Sequence, residues 1–362
     1  MRFRPFNRGF QIEGNLEDFR LMKTVLITTT IRVPKVLEAY RRIGPDVTFI
    51  IAGDKRTPNV ELRQLTKRLG NSVYLSSQDQ QRLGYKSSKI IRWNSVQRRN
   101  IALLEAIALR PDIIVSIDDD NIPLDRNYFQ DFERTLGNEF NGSIVSSKLG
   151  WFNAGAFIGE GVVVRGFPIE LRHADLGVRV KTASRVKIGV SAGLWLGDPD
   201  VDAIERISNR PVVNRISKTI RDGLAVDSSC IAPFDSQNTA ILYELAPLWL
   251  MITDVGRYDD IWASFIVQRI MRESGYHLVF GKPVVKQVRN SHDPLSDLRD
   301  EMFGMEYSMR FHDALTGMNL GKGSILDKLF RLFELAGDLE YLPKSFQRLG
   351  LSWCEDIERV KP

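Results

Sequence analysis

Three consecutive carboxylates, Asp118, Asp119 and Asp120, follow the apolar run Ile113 to Ile117. Like charges so crowded are costly unless something positive sits among them, and a divalent cation answers that need. If the chain is still extended there, Asp118 and Asp120 face one side at period two and reach one ion, while Asp119 points elsewhere. Their hard oxygens suit Mg²⁺ or Mn²⁺, which keep waters and bridge to substrate phosphates. A solvated acidic loop is the plainer alternative.

Other residues pose related questions. Arg98 and Arg99 stand near the start of an expected helix, where positive charge opposes the helix dipole, so an anionic ligand explains them better than helix stability does. Lys55 and Arg56 follow Asp54, and Pro58 then fixes a turn. A second acidic pair, Asp259-Asp260, opens another expected helix, where carboxylates are favourable in themselves. Gln287, Asn290 and His292 cluster after the apolar Pro283 to Val285, and His292 is one of only 4 histidines.

The elements that must hold these residues are legible from periodicity. Thr24 to Thr29, Val47 to Ala52 and Ile113 to Ile117 read as strands, alternating with helices from Val60 to Leu69 and Val96 to Leu109. Such alternation implies a parallel sheet with crossover helices, and ligands sit beyond the carboxyl ends of its strands. Thr28-Thr29-Thr30, Gly53 to Pro58 and Asp118 to Asn121 should therefore converge on one crevice. Further along, Arg185 to Val190 and Leu224 to Ala232 read as strands and Ile261 to Ser274 as a helix. In the tail, Leu326, Leu329, Phe330 and Phe333 mark one face of an amphipathic helix, with Ser324 and Asp327 as its capping box and Gly337 as its stop.

Composition is that of a globular protein, 43% hydrophobic and 26% charged over 362 residues, enough for one large domain and an appendage. The net charge of +5 suits an anionic small substrate, and no basic stripe points to nucleic acid. Two distant cysteines suggest neither a disulfide framework nor a zinc site. No stretch approaches the roughly 18 apolar residues of a membrane span, and the start shows no secretory leader. The expectation is a cytoplasmic protein, with peripheral membrane contact and oligomerisation left open.

Several blocks resemble known sequences. Arg165 to Arg172, Gly193 to Leu196, Asp198 to Ala203 and Gly256 to Ala263 resemble the reversibly glycosylated polypeptides, a family that includes UDP-arabinopyranose mutases. Gly53 to Pro58, Gln78 to Gln80 with Leu83 to Tyr85, the acidic triplet with Asn121, and Gln287 to His292 resemble the related STELLO-type glycosyltransferase-like proteins. The blocks together span Val25 to Glu301. The resemblance implies an α/β fold of the GT-A glycosyltransferase type, a UDP-sugar donor and Mn²⁺ or Mg²⁺ at Asp118 and Asp120. A histidine that the mutases carry near Gln287 is missing, which leaves His292 as the candidate third ligand. Arg165 and Arg172 reproduce a family pair of arginines, one of them a site of self-glycosylation; their plainer role is to clamp the donor. In the STELLO type only the second acid of the Asp259-Asp260 pair is kept, which puts Asp260 foremost as the catalytic carboxylate. The STELLO membrane anchor is not among the matching blocks.

These readings combine into one expectation: a metal-dependent glycosyltransferase binding a nucleotide sugar, with an unknown acceptor and no nucleic acid or transmembrane segment. Thr28, Thr29, Thr30, Asp54, Lys55, Arg98, Arg99, Asp118, Asp119, Trp195 and Asn238 are the expected donor contacts. Asp259, Asp260, Arg165 and Arg172 are the expected catalytic set. The alternatives are a UDP-sugar pyranose/furanose mutase and an inactive GT-A scaffold. Expected boundaries are an arm over residues 1–20, the nucleotide-sugar domain over 21–300 and a helical extension over 301–362.

Overall fold

Val25, Leu26 and Ile27, like Ile113 to Val115, leave no position for water-facing side chains, as strands covered on both faces require. In the computed structural model, which describes residues 22–159, 161–289 and 292–361, these runs are central strands of a mixed sheet. The expected arm over residues 1–20 and Asn290 lie outside the described residues. In chain order the strands are β1 (Thr24–Thr29), β2 (Thr48–Ala52), β3 (Ser72–Leu75), β4 (Ile113–Ile117), β5 (Asn121–Pro123), β6 (Glu139–Ser146), β7 (Arg179–Gly197), β8 (Leu224–Val226), β9 (Asn238–Leu242) and β10 (Tyr276–Gln287).

The sheet order is β3-β2-β1-β4-β9-β7-β6-β8-β10-β5, with β7 also paired to β10. The first four strands are parallel, as their crossover helices dictate, and β9 then joins β4 antiparallel. Strand β7 runs parallel to β10, while β6, β8 and β10 close a small ring of strands upon it. Carboxyl ends of β1, β2, β4, β7 and β10 consequently lie on one side of the sheet, next to the start of β9. Helix Arg99–Ala108 packs against β1 and β2, and helix Tyr128–Leu136 against β7 and β10. The expected α/β class, a large mixed sheet flanked by helices, is what is observed.

Two local expectations change. Arg185 to Val190 is only the middle of β7, which is 19 residues long. The expected strand from Leu224 to Ala232 stops at Val226, because the Asp227 carboxylate accepts hydrogen bonds from Ser229 N at 3.0 Å and Ser229 Oγ at 2.7 Å and turns the chain.

Three C-terminal helices, Pro294–Gly317, Ile325–Ala336 and Lys344–Val360, complete the core. The first runs across the expected boundary at residue 300. The second begins at the Ser324–Asp327 capping box and buries Leu329 and Phe333, while Phe330 points outward. Gly337 ends it in a right-handed conformation, its bare Cα lying against Gln347. The third returns to helix Arg99–Ala108, burying Trp353, whose Nε1 donates to Pro247 O at 2.7 Å. Among the described residues no helix is long and apolar enough to cross a membrane.

Candidate functional site

Beyond the carboxyl ends of β1 and β4, hydroxyls and carboxylates interlock. Thr28 Oγ1 donates to Ile117 O at 2.9 Å and Thr29 Oγ1 to Ala52 O at 2.8 Å, so both tie strands together. Thr30 Oγ1 instead donates to Asp119 Oδ2 at 2.5 Å. Buried Asp54 accepts from Ser95 N at 3.0 Å and from Lys55 N at 2.6 Å, which fixes the segment ahead of helix Arg99–Ala108. The Lys55 side chain is exposed, 5.6 Å from the Trp93 ring.

The acidic triplet is not extended. Asp118 to Asn121 form a turn in which Asn121 N donates to Asp118 O at 3.3 Å, so alternation does not apply and all three carboxylates line one recess. That recess, about 380 Å³, also includes Thr29, Thr30, Arg99 and His292. Burial, then Asp118 and Asp119, push Asp120 up to about 7. Burial raises Asp119 as well, against the Thr30 hydrogen bond. Asp118 pairs with Arg99, whose guanidinium also donates to Ser236 Oγ at 2.8 Å and Ser236 O at 3.1 Å.

Arg98 and Arg99 part company because a 3₁₀ turn, Val96–Arg98, precedes the α-helix. Arg98 is fully buried away from the recess, donating to Gln80 Oε1 at 2.8 Å and Ser88 Oγ at 2.9 Å beneath Trp93. The dipole argument assumed both arginines at a helix start; tertiary partners explain Arg98 instead.

A second cavity of about 570 Å³ shares Asn94, Ser95, Val96 and Asp118 with the first and extends to Arg165, Ser236, Asp259 and Asp260. Its floor comes from the loop 251–258, which Asn100 holds through paired hydrogen bonds to Met251 N and O, each 2.9 Å. Arg165, expected to clamp the donor, is enclosed by protein: Nη2 lies 2.9 Å from Asp200 Oδ2, Nη1 lies 3.2 Å from Asp260 Oδ1, and Nη1 also donates to Arg257 O. Asp260 further accepts from Ser236 N at 3.0 Å and Ser236 Oγ at 3.1 Å. Burial alone would raise Asp260, yet Arg165 and Ser236 hold it below the usual carboxylate range. Its neighbour Asp259 moves the other way: burial and the Asp260 charge push it up to about 7.

The remaining candidates are scattered around this centre. Arg172 pairs with Asp202, the N-cap of helix Ala203–Ser208. Trp195 is buried beside Arg165 and Asp200, behind the second cavity. Asn238 is wholly buried, accepting from Tyr128 OH at 2.7 Å and donating to Leu194 O at 3.0 Å and Pro283 O at 3.1 Å, so its amide joins β9 to β7 and β10. His292 lines the first recess with Nδ1 3.3 Å from Asp297 Oδ1, and burial lowers its pKa. Among the described residues no three His, Cys, Asp or Glu side chains are gathered as metal ligands, although His292 lines the same recess as Asp118 and Asp120.

The family model for reversibly glycosylated polypeptides matches residues 22–326 of the chain. The chain belongs to this family. Among curated relatives, Probable UDP-arabinopyranose mutase 1 of Pisum sativum is 29% identical over 162 residues, covering 42% of this chain and 41% of that protein. UDP-arabinopyranose mutase 3 of Arabidopsis thaliana is 27% identical over 162 residues, with the same shares. The chain thus spans about two-fifths of the length of these relatives. A solved structure assigned as a glucose-1-phosphate thymidylyltransferase of Bacillus anthracis covers 83% of this chain and 98% of its own at 10% identity, with a TM-score of 0.30, too low a likeness to bear on activity.

In this member of the family, sequence reading missed Ser236, Gln97 and Asn100, although they organise the site. Gln97 Nε2 donates to Asp259 Oδ2 at 2.7 Å. Gln97 and Asn100 stand in the same Trp93 to Asn100 block as the arginines, and their partners lie more than 150 residues away, beyond any local signal. Ser236 carries no local signal at all.

Proposed function

We propose that this chain is a metal-dependent glycosyltransferase acting on a UDP-sugar. The carrying observation is the meeting of two recesses at Asp118, one acid-rich and small, the other large and polar. An acid-lined recess repels a diphosphate by itself and accepts one once a divalent cation lies between them. Burial, with the charges of Asp118 and Asp119, pushes Asp120 up to about 7, and a cation placed among the three would favour its ionised form. Two such ligands suffice for Mg²⁺ or Mn²⁺, which complete their shells with water and phosphate oxygens. Asp118 and Asp120 would hold the ion, whose chemistry there would be to neutralise charge on a departing diphosphate. Arg99 orients Asp118, and Thr30 orients Asp119. The sugar then extends into the larger cavity.

Family membership and the names of the relatives supply the UDP-sugar in this reading. Those names also favour a second one, in which the sugar returns to UDP in another ring form. Titration calorimetry with UDP, with and without Mn²⁺, tests the binding: Asp118→Asn and Asp120→Asn should each abolish the Mn²⁺-dependent part while thermal stability persists. Unchanged Mn²⁺-dependent binding in both variants would sink it. Incubating labelled UDP-sugars with Mn²⁺ and no acceptor separates the two reactions, since exchange of pyranose and furanose forms replaces transferase by mutase.

A further inference from the structure

The larger cavity is unsuited to an anion. Five carboxylates line it, Asp118, Asp254, Asp259, Asp260 and Asp300, against three guanidinium groups. Each of those three is already engaged: Arg92 with Asp254 at 2.6 Å, Arg165 with Asp200 and Asp260, and Arg257 with Glu301 at 3.0 Å. Carboxylates thus outnumber cations in the lining, and carboxylate oxygens accept hydrogen bonds from O–H donors. A neutral, hydroxyl-rich occupant, a sugar ring together with an attacking hydroxyl, matches that lining.

The five acids are not equivalent. Asp118 is paired with Arg99 and Asp254 with Arg92, while Asp300 is exposed. Asp260 is gripped by Arg165 and Ser236, which makes it a fixed anion and a poor base. Asp259 is different: buried, it accepts only from neutral donors, Gln97 Nε2 at 2.7 Å and Asp260 N at 3.0 Å, and forms no ion pair among the described residues.

We propose that Asp259 is the general base of this site, taking the proton from a hydroxyl of a neutral, polyol-class acceptor, with Asp260 and Arg165 as positioning residues. This rests on the UDP-sugar reading above. As the acceptor oxygen bonds to the anomeric carbon, its proton passes to Asp259. The bond from that carbon to the phosphate oxygen breaks, and its electron pair leaves with UDP. Asp259 then loses the proton to water. The charged groups around it are Asp260 on its own helix, Arg165 and Arg257 beside it, and Asp118, Asp300 and the Arg92–Asp254 pair in the cavity. Burial and the Asp260 charge outweigh Arg165 and Arg257 and push Asp259 up to about 7, close to the pH at which a general base is most effective.

The test is the pH dependence of UDP release from a panel of UDP-pentoses and UDP-hexoses with Mn²⁺, using free monosaccharides or water as acceptor. The wild-type kcat, measured at saturating UDP-sugar and Mn²⁺, should fall as pH drops through about 7, because the base is then protonated. Asp259→Asn should lose roughly 10²–10⁴-fold in kcat together with that acidic limb, while UDP binding by calorimetry is unchanged. Asp259→Glu should recover part of the rate. Gln97→Met removes a hydrogen bond that favours the ionised carboxylate, so the limb should move to higher pH, a shift that a merely structural role would not cause. An unchanged kcat in Asp259→Asn, or a limb unmoved in both variants, overturns the assignment while UDP binding keeps the broader reading standing. A wild-type protein that binds no UDP overturns both.

Discussion

Asp120 is caught between two demands at the scale of the residue. Its folded pKa of about 7 lies above the ordinary value of 3.8, so its contribution to stability is present at low pH and lost as pH rises through 7. The cation proposed for this recess would require the opposite, deprotonated form. Mn²⁺-dependent UDP binding should therefore weaken as pH falls from about 8 to about 6. Calorimetry across that range checks this, and a flat profile would remove Asp120 from the proposed ligand set. Arg165 poses a simpler question. Its removal strands Asp200 and Asp260, both nearly buried, so Arg165→Met should cost about 3–5 kcal/mol in chemical denaturation. Arg165→Lys should cost less, since one charge remains.

At the scale of the element, the 3₁₀ turn and loop ahead of helix Asp259–Met271 form the cavity wall. Gly256 permits this with φ +63°, and a Cβ there would stand 1.7 Å from Asp300 O. Gly256→Ala should destabilise the protein by more than about 1 kcal/mol and depress UDP-sugar turnover together, measured by urea unfolding and UDP release. The capping box at Ser324 lines neither cavity. Ser324→Ala should cost about 1 kcal/mol and leave UDP binding untouched, as melting curves and calorimetry would show.

At the scale of the molecule, helix Lys344–Val360 lies beyond the family match, yet it is part of the core that carries the site. Asp356 accepts from Lys86 N and Ser87 N, each at 2.8 Å, and Trp353 reaches Pro247. This helix braces Arg99–Ala108, whose first residues hold Asp118 and the 251–258 loop. Trp353→Ala should cost about 3–5 kcal/mol and loosen UDP binding, the first measured by denaturation and the second by calorimetry. Loss of stability without any change in UDP binding would separate this brace from the site.

Local signals sufficed where each residue's role depends on its neighbours in the chain. Continuous apolar runs determine β1, β2 and β4 because a buried parallel strand tolerates no polar side, and the Ser324–Asp327 spacing determines a helix start. The meeting of Thr29, Thr30 and Asp118 in one recess follows from strand direction alone. The roles of the charged groups were decided by partners distant in sequence. Arg98 and Arg99 are adjacent, yet one is buried among Gln80 and Ser88 while the other grips Asp118. Asp259 and Asp260 differ for the same reason, since Arg165 lies 95 residues before Asp260 and Gln97 lies 162 before Asp259. An electrostatic role depends on burial and on distance through space, and neither is a property of spacing along the chain.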